Sequence, residues 1–405
     1  MRRECRELFL ASALGAVFAV TTPVQANIDP VAIYDARSAG MGDTGVAYAH
    51  GAASLYHNPA LLQGTQKMDA TVSVAAVVPG ITYGRAPIDG PETEVSAKVS
   101  LVPSPFVGFS YRLTERIVVG LAAYPMEAYG GAFEDVQTFG GLDFSSVVAT
   151  IEASPAVSVA LLDTLSLGLG YRITYIQEQV KVPVLVGDGF VLSETNLSGA
   201  NFAGLHAGLT YRPVKFLRLG LSYRSKIKTT VDGTLEIPGL EGQAFSADVA
   251  SPHRFKAGAA CSLFDDRLLL VLDAKMMLYE NSHEESVTTV ETPQGTQRQV
   301  KPLLWKNVIG LGLGAEYAVT PMFLVRAGYT TAGSATPLET ADYFTPPPAR
   351  SHVIHLGAGV RFTRWNFDVG ALYGVSKAHL TPPLSNPGNY GGAGVTVALS
   401  GTYRL

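Results

Sequence analysis

The sequence predicts an all-β protein, a 14-stranded antiparallel transmembrane β-barrel with a small, partly helical N-terminal plug inside the lumen. Three observations lead to this fold class. The chain is 47% hydrophobic, yet no stretch beyond its N-terminal segment approaches the roughly 18 consecutive apolar residues that a spanning helix needs. Most of the chain after residue 68 alternates apolar and polar side chains, and its connecting segments alternate between short and long. A closed β-barrel is the other backbone arrangement that satisfies all hydrogen bonds within a bilayer.

The N-terminal segment is predicted to be a secretory signal peptide. Arg2 and Arg3 open a charged start, the apolar run 8–20 is too short to span a bilayer, and Ala26 ends a small-residue cleavage site. We therefore assign residues 1–26 to the signal peptide.

The remaining chain divides into two parts. Residues 27–66 are small, Ala/Gly-rich and without period-2 alternation, and we expect them to form the plug. Residues 67–405 are expected to form the transmembrane β-barrel. Cys261 is the single cysteine left after cleavage, so no internal disulfide is expected.

The alternation is clearest in the stretch that begins at Leu217. Its apolar side chains Leu217, Leu219, Leu221 and Tyr223 alternate with Arg218, Gly220, Ser222 and Arg224. Because successive side chains of a strand project to opposite faces, one face is apolar and the other is polar. In a barrel the apolar face meets lipid and the polar face lines the lumen. A soluble sandwich would have to bury the charges between its sheets at high cost, so a barrel is favoured.

Fourteen such strands can be placed, an even number as bacterial barrels require. They are predicted at 68–80, 105–114, 117–126, 146–161, 164–180, 200–212, 216–230, 253–264, 267–280, 305–318, 321–331, 351–363, 365–376 and 392–405. The short links are predicted at 114–116, 162–164, 213–215, 264–267, 319–321 and 363–365, and the long links at 81–104, 127–145, 181–199, 231–252, 281–304, 332–350 and 377–391. Short periplasmic turns alternating with long outer loops are typical of outer-membrane barrels.

Charge and motifs exclude several functions. The formal net charge of −4 gives no basic face for nucleic acid. Gly40–Gly45 fits G-x-G-x-x-G but opens no βαβ unit, and its Asp-Thr-Gly has no second copy, as an aspartic protease would require. His352 and His355 are three residues apart and would face opposite sides of a strand. We therefore expect no catalytic site, no metal and no cofactor.

Several short motifs resemble the outer-membrane long-chain fatty acid and hydrocarbon transporters of the FadL/TodX type. Ser38-Ala39-Gly40 and then Asn58-Pro59-Ala60 match the wording of that family's N-terminal hatch. The stretches Trp305–Tyr317, Arg326–Tyr329 and Leu356–Val360 follow in the family's order. The resemblance implies that Asn58, Pro59 and Ala60 lie in a hatch within the barrel.

Pro125 interrupts an otherwise regular strand, and a proline removes a hydrogen-bond donor from the ladder. The family has a break in its third strand that opens sideways into the membrane, and Pro125 lies in the third predicted strand. The resemblance therefore implies a lateral opening bordered by Tyr124, Pro125 and Met126. The alternative is that Pro125 marks only the outer end of the strand.

Two outer loops are unusually apolar, and such exposed surface usually marks a binding site. Phe190 and Leu192 lie in the first, and Leu235 and Phe245 lie in the second. In the family the corresponding loops form the first capture groove for the ligand. Alternatively, the strands extend above the membrane and these residues pack on one another.

An acidic ligand would need a cation on the lumen side of the barrel. Lys306 is the first candidate because it would share a face with the glycines at 310, 312 and 314. Arg224, Arg326 and Arg172 are the alternatives, each on the polar face of its strand. These cations could instead only balance acidic residues of the lumen, such as Glu178, Glu316 and Asp368.

The expected function is passive transport of hydrophobic compounds, foremost long-chain fatty acids, across the outer membrane of a Gram-negative cell. Outer loops would capture the ligand, the hatch would move, and the ligand would leave through the barrel wall. The expected partners are hydrophobic small molecules and outer-membrane lipid, and the protein is expected to be a monomer that is not an enzyme. The alternative is a non-transporting barrel that assists protein secretion or surface assembly.

Overall fold

A closed antiparallel sheet forms the wall of the molecule. The computed structural model describes residues 35–85, 93–96, 98, 101–137, 140–186, 189–292, 295–341, 345–381 and 387–405. Within these residues, nineteen strands form one sheet in which the last strand pairs with the first. The predicted cleavage site after Ala26 lies outside the described residues.

The strands follow one another around the wall in chain order. They are β1 (Met68–Arg85), β2 (Thr93–Ser96), β3 (Val102–Arg112), β4 (Ile117–Val136), β5 (Leu142–Leu162), β6 (Leu165–Val186), β7 (Gly189–Val214), β8 (Leu217–Arg224), β9 (Ile227–Glu236), β10 (Gln243–Ser251), β11 (His253–Leu263), β12 (Leu268–Leu278), β13 (Glu285–Thr292), β14 (Gly295–Pro302), β15 (Val308–Ala318), β16 (Phe323–Ala332), β17 (Ser351–Arg361), β18 (Trp365–Leu380) and β19 (Gly388–Arg404).

These strands fill fourteen positions around the barrel. Four positions hold two consecutive strands separated by a short interruption: β8 with β9, β10 with β11, β12 with β13, and β14 with β15. Among the described residues, the short strand β2 pairs with the end of β1. The predicted fold class, a closed 14-stranded antiparallel barrel, is therefore confirmed.

The two faces of the wall have the chemistry that the alternation predicts. Along β6, Leu167, Leu169 and Tyr171 are exposed on the outside, whereas Arg172 between the outward residues is fully buried inside. A spanning strand places its apolar side chains against lipid in this way. The wall therefore buries its charges in the lumen and presents hydrocarbon to the membrane.

The predicted loops at one end of the barrel are largely strand. β6 and β7 continue through most of 181–199, β4 and β5 through most of 127–145, and β9 and β10 through most of 231–252. The prediction of long loops in these ranges was wrong because their inner face is also apolar, so the period-2 contrast disappears. The predicted short turns, such as 114–116 and 162–164, do connect their strands closely.

The plug is built from short helical turns. The α-helices α1 (Ala36–Ala39) and α2 (Ser54–His57) and the 3-10 helices Gly51–Ala53 and Pro59–Gly64 form its backbone. Two further 3-10 turns, Tyr279–Asn281 and Leu338–Thr340, lie outside the plug. The partly helical character predicted for the N-terminal segment agrees with these elements.

The helix starts of the plug follow from its sequence. The Asp35 side chain accepts from the Ser38 N–H and caps α1. The Asn58 side chain accepts from the Ala60 N–H, and Pro59 occupies the first turn, where its missing N–H is not needed. Among the described residues, no helix has the length and apolarity required to cross a membrane.

Glycines of the wall allow the plug to lie directly against it. A Cβ at Gly168 would collide with the backbone of Pro59 and Ala60, and a Cβ at Gly220 would collide with Val46. Gly42 in the plug has a φ of +70° and lies against the Leu313 carbonyl. The G-x-G-x-x-G stretch is thus a packing surface against the wall.

Candidate functional site

A buried carboxylate, Glu152 on β5, organises the centre of the lumen wall. Its Oε2 accepts from Nε of Arg172 at 2.8 Å, and its Oε1 accepts from the Arg224 guanidinium. Tyr124 donates its hydroxyl to Oε1 at 2.6 Å. All four side chains are at least 98% buried. The structure therefore brings together two predicted head-group cations, Arg172 and Arg224, and one predicted border residue of the lateral opening, Tyr124.

The plug touches this cluster through Tyr56. The Arg224 guanidinium lies 5.1 Å from the centre of the Tyr56 ring and donates to the Tyr56 carbonyl at 3.4 Å. Lys256 lies 4.7 Å from the same ring centre. Cations over an aromatic face are attracted by its quadrupole. Any movement of the plug at Tyr56 would therefore change the surroundings of Arg224.

The barrel wall is irregular beside the cluster. The ladder between β3 and β4 ends at the pair Val107–Ala123, within the described residues. On its other side, β4 shifts register between Pro125 and Glu127, so Met126 is an extra residue there. The structure thus places Tyr124, Pro125 and Met126 at the end of one ladder and at an irregularity of the other.

Further buried polar contacts surround Met126. Arg172 donates from its second terminal nitrogen to the Met126 sulfur at 2.8 Å. Glu127 accepts from the Ser251 hydroxyl at 2.8 Å and forms an ion pair with Arg254. The wall around Pro125 is therefore held by side chains where backbone pairing is reduced.

A large apolar cluster, here called the outer apolar cluster, lies beyond these charges along the same strands. Its buried members come from β4–β7, β9, the residue after β9, β10 and β13. They are Phe133, Val136, Phe144, Val148, Ile176, Val180, Val182, Val184, Leu197, Val231, Leu235, Ile237, Phe245, Ala247, Val249 and Val290. Two predicted capture residues, Leu235 and Phe245, belong to it. Phe190 is exposed and Leu192 is half-buried.

The packing of this cluster matches the alternative interpretation of the apolar loops, in which strands extend outward and pack on one another. That packing does not exclude ligand entry, because apolar side chains on an inner face form the kind of lining that hydrophobic ligands occupy. The capture role of Phe190, Leu192, Leu235 and Phe245 stays a prediction.

Lys306 lies apart from the buried cations. The prediction that it shares the lumen face of Gly310 assumed a strand through residue 305, but β15 begins only at Val308. In the irregular segment before β15, Trp305 is buried and Lys306 is exposed. The alternation therefore does not extend to Lys306, and its role as a head-group ligand stays a prediction with no support from its placement.

Arg326 belongs to a different charge cluster that joins the barrel to the plug. It donates from Nε to Glu316 and forms an ion pair with Asp368, both at 2.7 Å. Glu316 also accepts from Arg37 of the plug at 2.8 Å and from Arg361 at 2.9 Å. Arg326 therefore balances lumen carboxylates, as the alternative interpretation of these cations states.

A polar cavity of about 200 Å³ adjoins this second cluster. It lies between the plug and β16–β19, and Arg37, Arg326, Asp368 and Arg404 contribute to its lining. A chamber lined by ionised groups suits water rather than a hydrophobic molecule. The outer apolar cluster lies along the strands near Glu152 and not along the strands that line this cavity, so the hydrophobic route is better sought there.

The predicted hatch residues Asn58, Pro59 and Ala60 are buried between plug and wall. Asn58 donates from Nδ2 to the carbonyls of Val46 at 2.8 Å and Leu209 at 3.1 Å. Pro59 lies against Gly168 and Gly208 of the wall. One side chain thus joins two segments of the plug to β7, which gives the Asn-Pro-Ala motif a structural reason.

Polar and charged contacts also fix the plug. The His57 Nε2 atom lies 3.4 Å from Asp35 Oδ2, and Asp43 pairs with Lys275 on β12. Burial raises the pKa of the Asp35 carboxyl, but the neighbouring His57 imidazole and the Ser38 N–H outweigh it, so the pKa lies below its usual range. Asp35 therefore remains an ionised cap of α1 at neutral pH.

Sequence reasoning did not find Glu152, Glu127 or Tyr56. Glu152 occupies an inner position of β5, where a charge in an alternating strand could have indicated its side of the wall. Tyr56 lies in the plug, where no periodicity indicates which way a side chain points. No group of residues in the described parts of the chain could hold a metal ion.

The barrel, its internal plug and the irregular wall beside a buried charge cluster define an outer-membrane barrel of the transport class. The family described as "Outer membrane protein transport protein (OMPP1/FadL/TodX)" matches residues 17–381. The chain belongs to this family, whose members are outer-membrane transporters of hydrophobic compounds and not enzymes. No curated protein matches the sequence.

Solved structures of this family share the fold. A FadL homologue from Pseudomonas aeruginosa has a TM-score of 0.70 at 19% identity, covering 95% of this chain and 99% of its own. The toluene transporter TodX from Pseudomonas putida has a TM-score of 0.73 at 15% identity, with coverages of 95% and 100%. The toluene transporter TbuX from Ralstonia pickettii has a TM-score of 0.69 at 16% identity, with coverages of 94% and 99%.

Proposed function

We propose that this protein carries long-chain fatty acids, which enter at the outer apolar cluster and leave through the wall beside Pro125. The observation that carries the proposal is the cluster around Glu152. It joins the cations Arg172 and Arg224, the plug residue Tyr56 and the wall residue Tyr124 through direct contacts. Recognition of a head group, movement of the plug and exit through the wall would therefore act on the same side chains.

The charge of this cluster favours an acidic ligand. Two guanidiniums share the single carboxylate Glu152, so a second carboxylate would complete the pairing. Charge-assisted hydrogen bonds to a guanidinium are stronger than neutral ones, and Arg geometry suits a carboxylate. The apolar cluster along the same strands would hold the alkyl chain.

The irregular wall supports a lateral exit. Beyond the pair Val107–Ala123, no ladder pairing joins β3 to β4 among the described residues. Pro103 and Pro105 of β3 and Pro125 of β4 lack N–H donors close to that point, and a proline weakens a ladder. A hydrophobic ligand gains free energy on entering lipid rather than a water-filled pore.

Monoaromatic hydrocarbons are the second candidate ligand class. The relatives TodX and TbuX are described as toluene transporters, and the aromatic pair Phe133–Phe144, with ring centres 4.9 Å apart, lies in the outer apolar cluster. A hydrocarbon has no group for Arg172 and Arg224, so the buried cations favour the fatty acid.

The test compares oleate with its methyl ester, which has the same chain but no charge. In detergent solution, Arg224→Gln is expected to weaken oleate binding roughly 10- to 100-fold and to change binding of the ester less than threefold. Displacement of a fluorescent fatty acid measures both affinities. Lys306→Ala tests the other predicted head-group cation, and we expect it to leave both affinities unchanged because Lys306 is exposed and precedes β15.

Two outcomes would contradict the fatty-acid proposal. Equal losses for oleate and its ester in Arg224→Gln would mean that Arg224 has a structural role only. Tight binding of toluene to a protein that does not bind oleate would assign the hydrocarbon class instead.

A further inference from the structure

Glu178 is a carboxyl group in the middle of the outer apolar cluster. It lies on the inner face of β6 and is 3% exposed. On its own strand it lies between Ile176 and Val180, and across the ladders it pairs with Val148 on β5 and Leu197 on β7. All four neighbours are buried apolar members of the cluster.

No described residue satisfies this carboxyl. Its Oε2 atom is buried without a hydrogen-bond partner, and no ion pair involves Glu178. One row further out, opposite Val180, the hydroxyls of Ser146 and Thr195 are also buried and unpartnered. A buried polar group without a partner is costly, and native proteins rarely keep one without a function.

The other inner-face carboxylates differ from Glu178. Glu152 and Glu316 each accept from at least two guanidiniums, and Asp368 pairs with Arg326. Arg172, the nearest inner-face cation on β6, lies six residues earlier, which is about 20 Å along a strand. Glu178 therefore does not balance a lumen cation.

We propose that Glu178 binds the neutral hydroxyl group of an apolar ligand, an alcohol or a phenol, within the outer apolar cluster. Burial among apolar side chains disfavours the charged form of a carboxyl. The uncharged form can both accept from and donate to a hydroxyl, while the cluster encloses the hydrocarbon part. Glu178 would then select hydroxylated compounds from hydrocarbons of the same shape.

A cationic amine fits the route less well than a neutral hydroxyl. An ammonium group could pair with an ionised Glu178, but it would then have to pass Arg172 and Arg224, which share one carboxylate. Like charges in a poorly solvated site repel strongly. A neutral hydroxyl group meets no such barrier.

The inference depends on transport of hydrophobic compounds, which the family establishes, and not on fatty acids as the ligand. It can therefore hold even if oleate does not bind. The fatty-acid proposal likewise does not depend on Glu178, because loss of this carboxyl does not remove the cations that an acidic head group would contact.

The experiment measures the affinities of 4-heptylphenol, heptylbenzene and 4-heptylanisole for the purified protein in one detergent. The wild type should bind the phenol about five- to tenfold more tightly than heptylbenzene. The anisole, which can accept from the uncharged carboxyl but cannot donate to it, should bind with an affinity between those of heptylbenzene and the phenol. In Glu178→Leu the phenol preference should disappear, with heptylbenzene bound at least as tightly as before.

The control is Glu194→Leu, a carboxyl on β7 that is exposed and paired with Lys181. This variant should retain the wild-type preference for the phenol. Each variant is described by the ratio of its phenol affinity to its heptylbenzene affinity. Partitioning of the ligands into micelles is the same for all variants and therefore does not affect the comparison of these ratios. An unchanged phenol preference in Glu178→Leu would overturn the proposal. A Glu178→Leu barrel that fails to fold would also overturn it, because leucine should fit apolar surroundings.

Discussion

Inside this barrel, single buried carboxylates each bind several cationic side chains. Glu152 is fully buried and holds two guanidiniums, and Glu316 holds Arg37, Arg326 and Arg361. Desolvation of such groups is costly, and the mutual attraction compensates only when every partner is present. Loss of one carboxylate therefore leaves several buried cations without compensation.

We expect Glu152→Gln to lower the free energy of unfolding of the barrel by about 3–5 kcal/mol, because Arg172 and Arg224 would remain buried and uncompensated. Denaturant unfolding in detergent micelles measures the change. Glu194→Gln is the matched control, since it breaks only the exposed pair with Lys181 and should cost about 0–1 kcal/mol. Equal effects of the two substitutions would show that the buried pairs contribute no more than a surface pair.

The orientation of the predicted lumen cations could be predicted only where the strands alternate regularly. Arg172, Arg224 and Arg326 point inward as predicted, because each lies in a stretch where apolar and polar side chains alternate strictly. Lys306 does not, since its segment precedes β15 and has no period. The partners were beyond prediction, because which carboxylate an inward arginine meets depends on the register between strands.

The strands as elements were predictable where their two faces differ chemically. From Leu165 to Tyr175, outward apolar residues contrast with inward small or charged ones, and β6 was placed correctly there. Beyond Ile176 the inner face becomes apolar too, with Val180, Val182 and Val184. The contrast that indicates a strand is lost at this point, although the backbone ladder continues to Val186.

For β4, the third strand position of the wall, the sequence predicts one irregularity and the structure adds others. Pro125 was singled out from the sequence because a proline interrupts a ladder. The structure adds that the ladder to β3 ends at Ala123 and that β4 shifts register against β5 after Pro125. Pro103 and Pro105 in β3 were not singled out, because Pro103 lies in the predicted loop 81–104 and Pro105 is the first residue of the predicted strand 105–114, where a proline is ordinary.

We expect Pro125→Val to reduce cellular uptake of oleate while binding to the purified protein persists. Valine supplies the missing N–H and favours a strand, so β3 and β4 could pair further along their length. Uptake of labelled oleate and the displacement assay measure the two effects.

Pro155→Val is the matched control for this change. Pro155 lies in β5 and pairs with Leu121, within the regular part of the β4–β5 ladder, so its substitution should leave uptake and binding unchanged. Normal uptake in a Pro125→Val variant whose β3–β4 pairing is shown to be closed would rule out the lateral route.

At the scale of the whole molecule, the plug and barrel form one charge-paired unit. Plug residues pair with the wall at separate places: Arg37 with Glu316, Asp43 with Lys275, and Tyr56 with Arg224. Asn58, Pro59 and Ala60, from which the hatch is predicted, are buried against the wall, and the contacts that fix this segment could not be predicted from the sequence. They combine residues far apart in the chain, such as the pair Arg37–Glu316.

The plug is expected to close the lumen to small polar solutes. The described plug residues 35–66 are mostly buried against the inner wall, and glycines such as Gly168 and Gly220 leave room for their backbone. Deletion of residues 27–66 should therefore open an aqueous path, and liposome swelling should show faster entry of small sugars. The same deletion leaves Glu316 and Lys275 without their plug partners, so heat-modifiable migration in gels must first show that the barrel folds. If a folded, deleted barrel leaks no faster than the intact protein, the N-terminal segment does not seal the lumen, and passage of hydrophobic ligands would not require it to move.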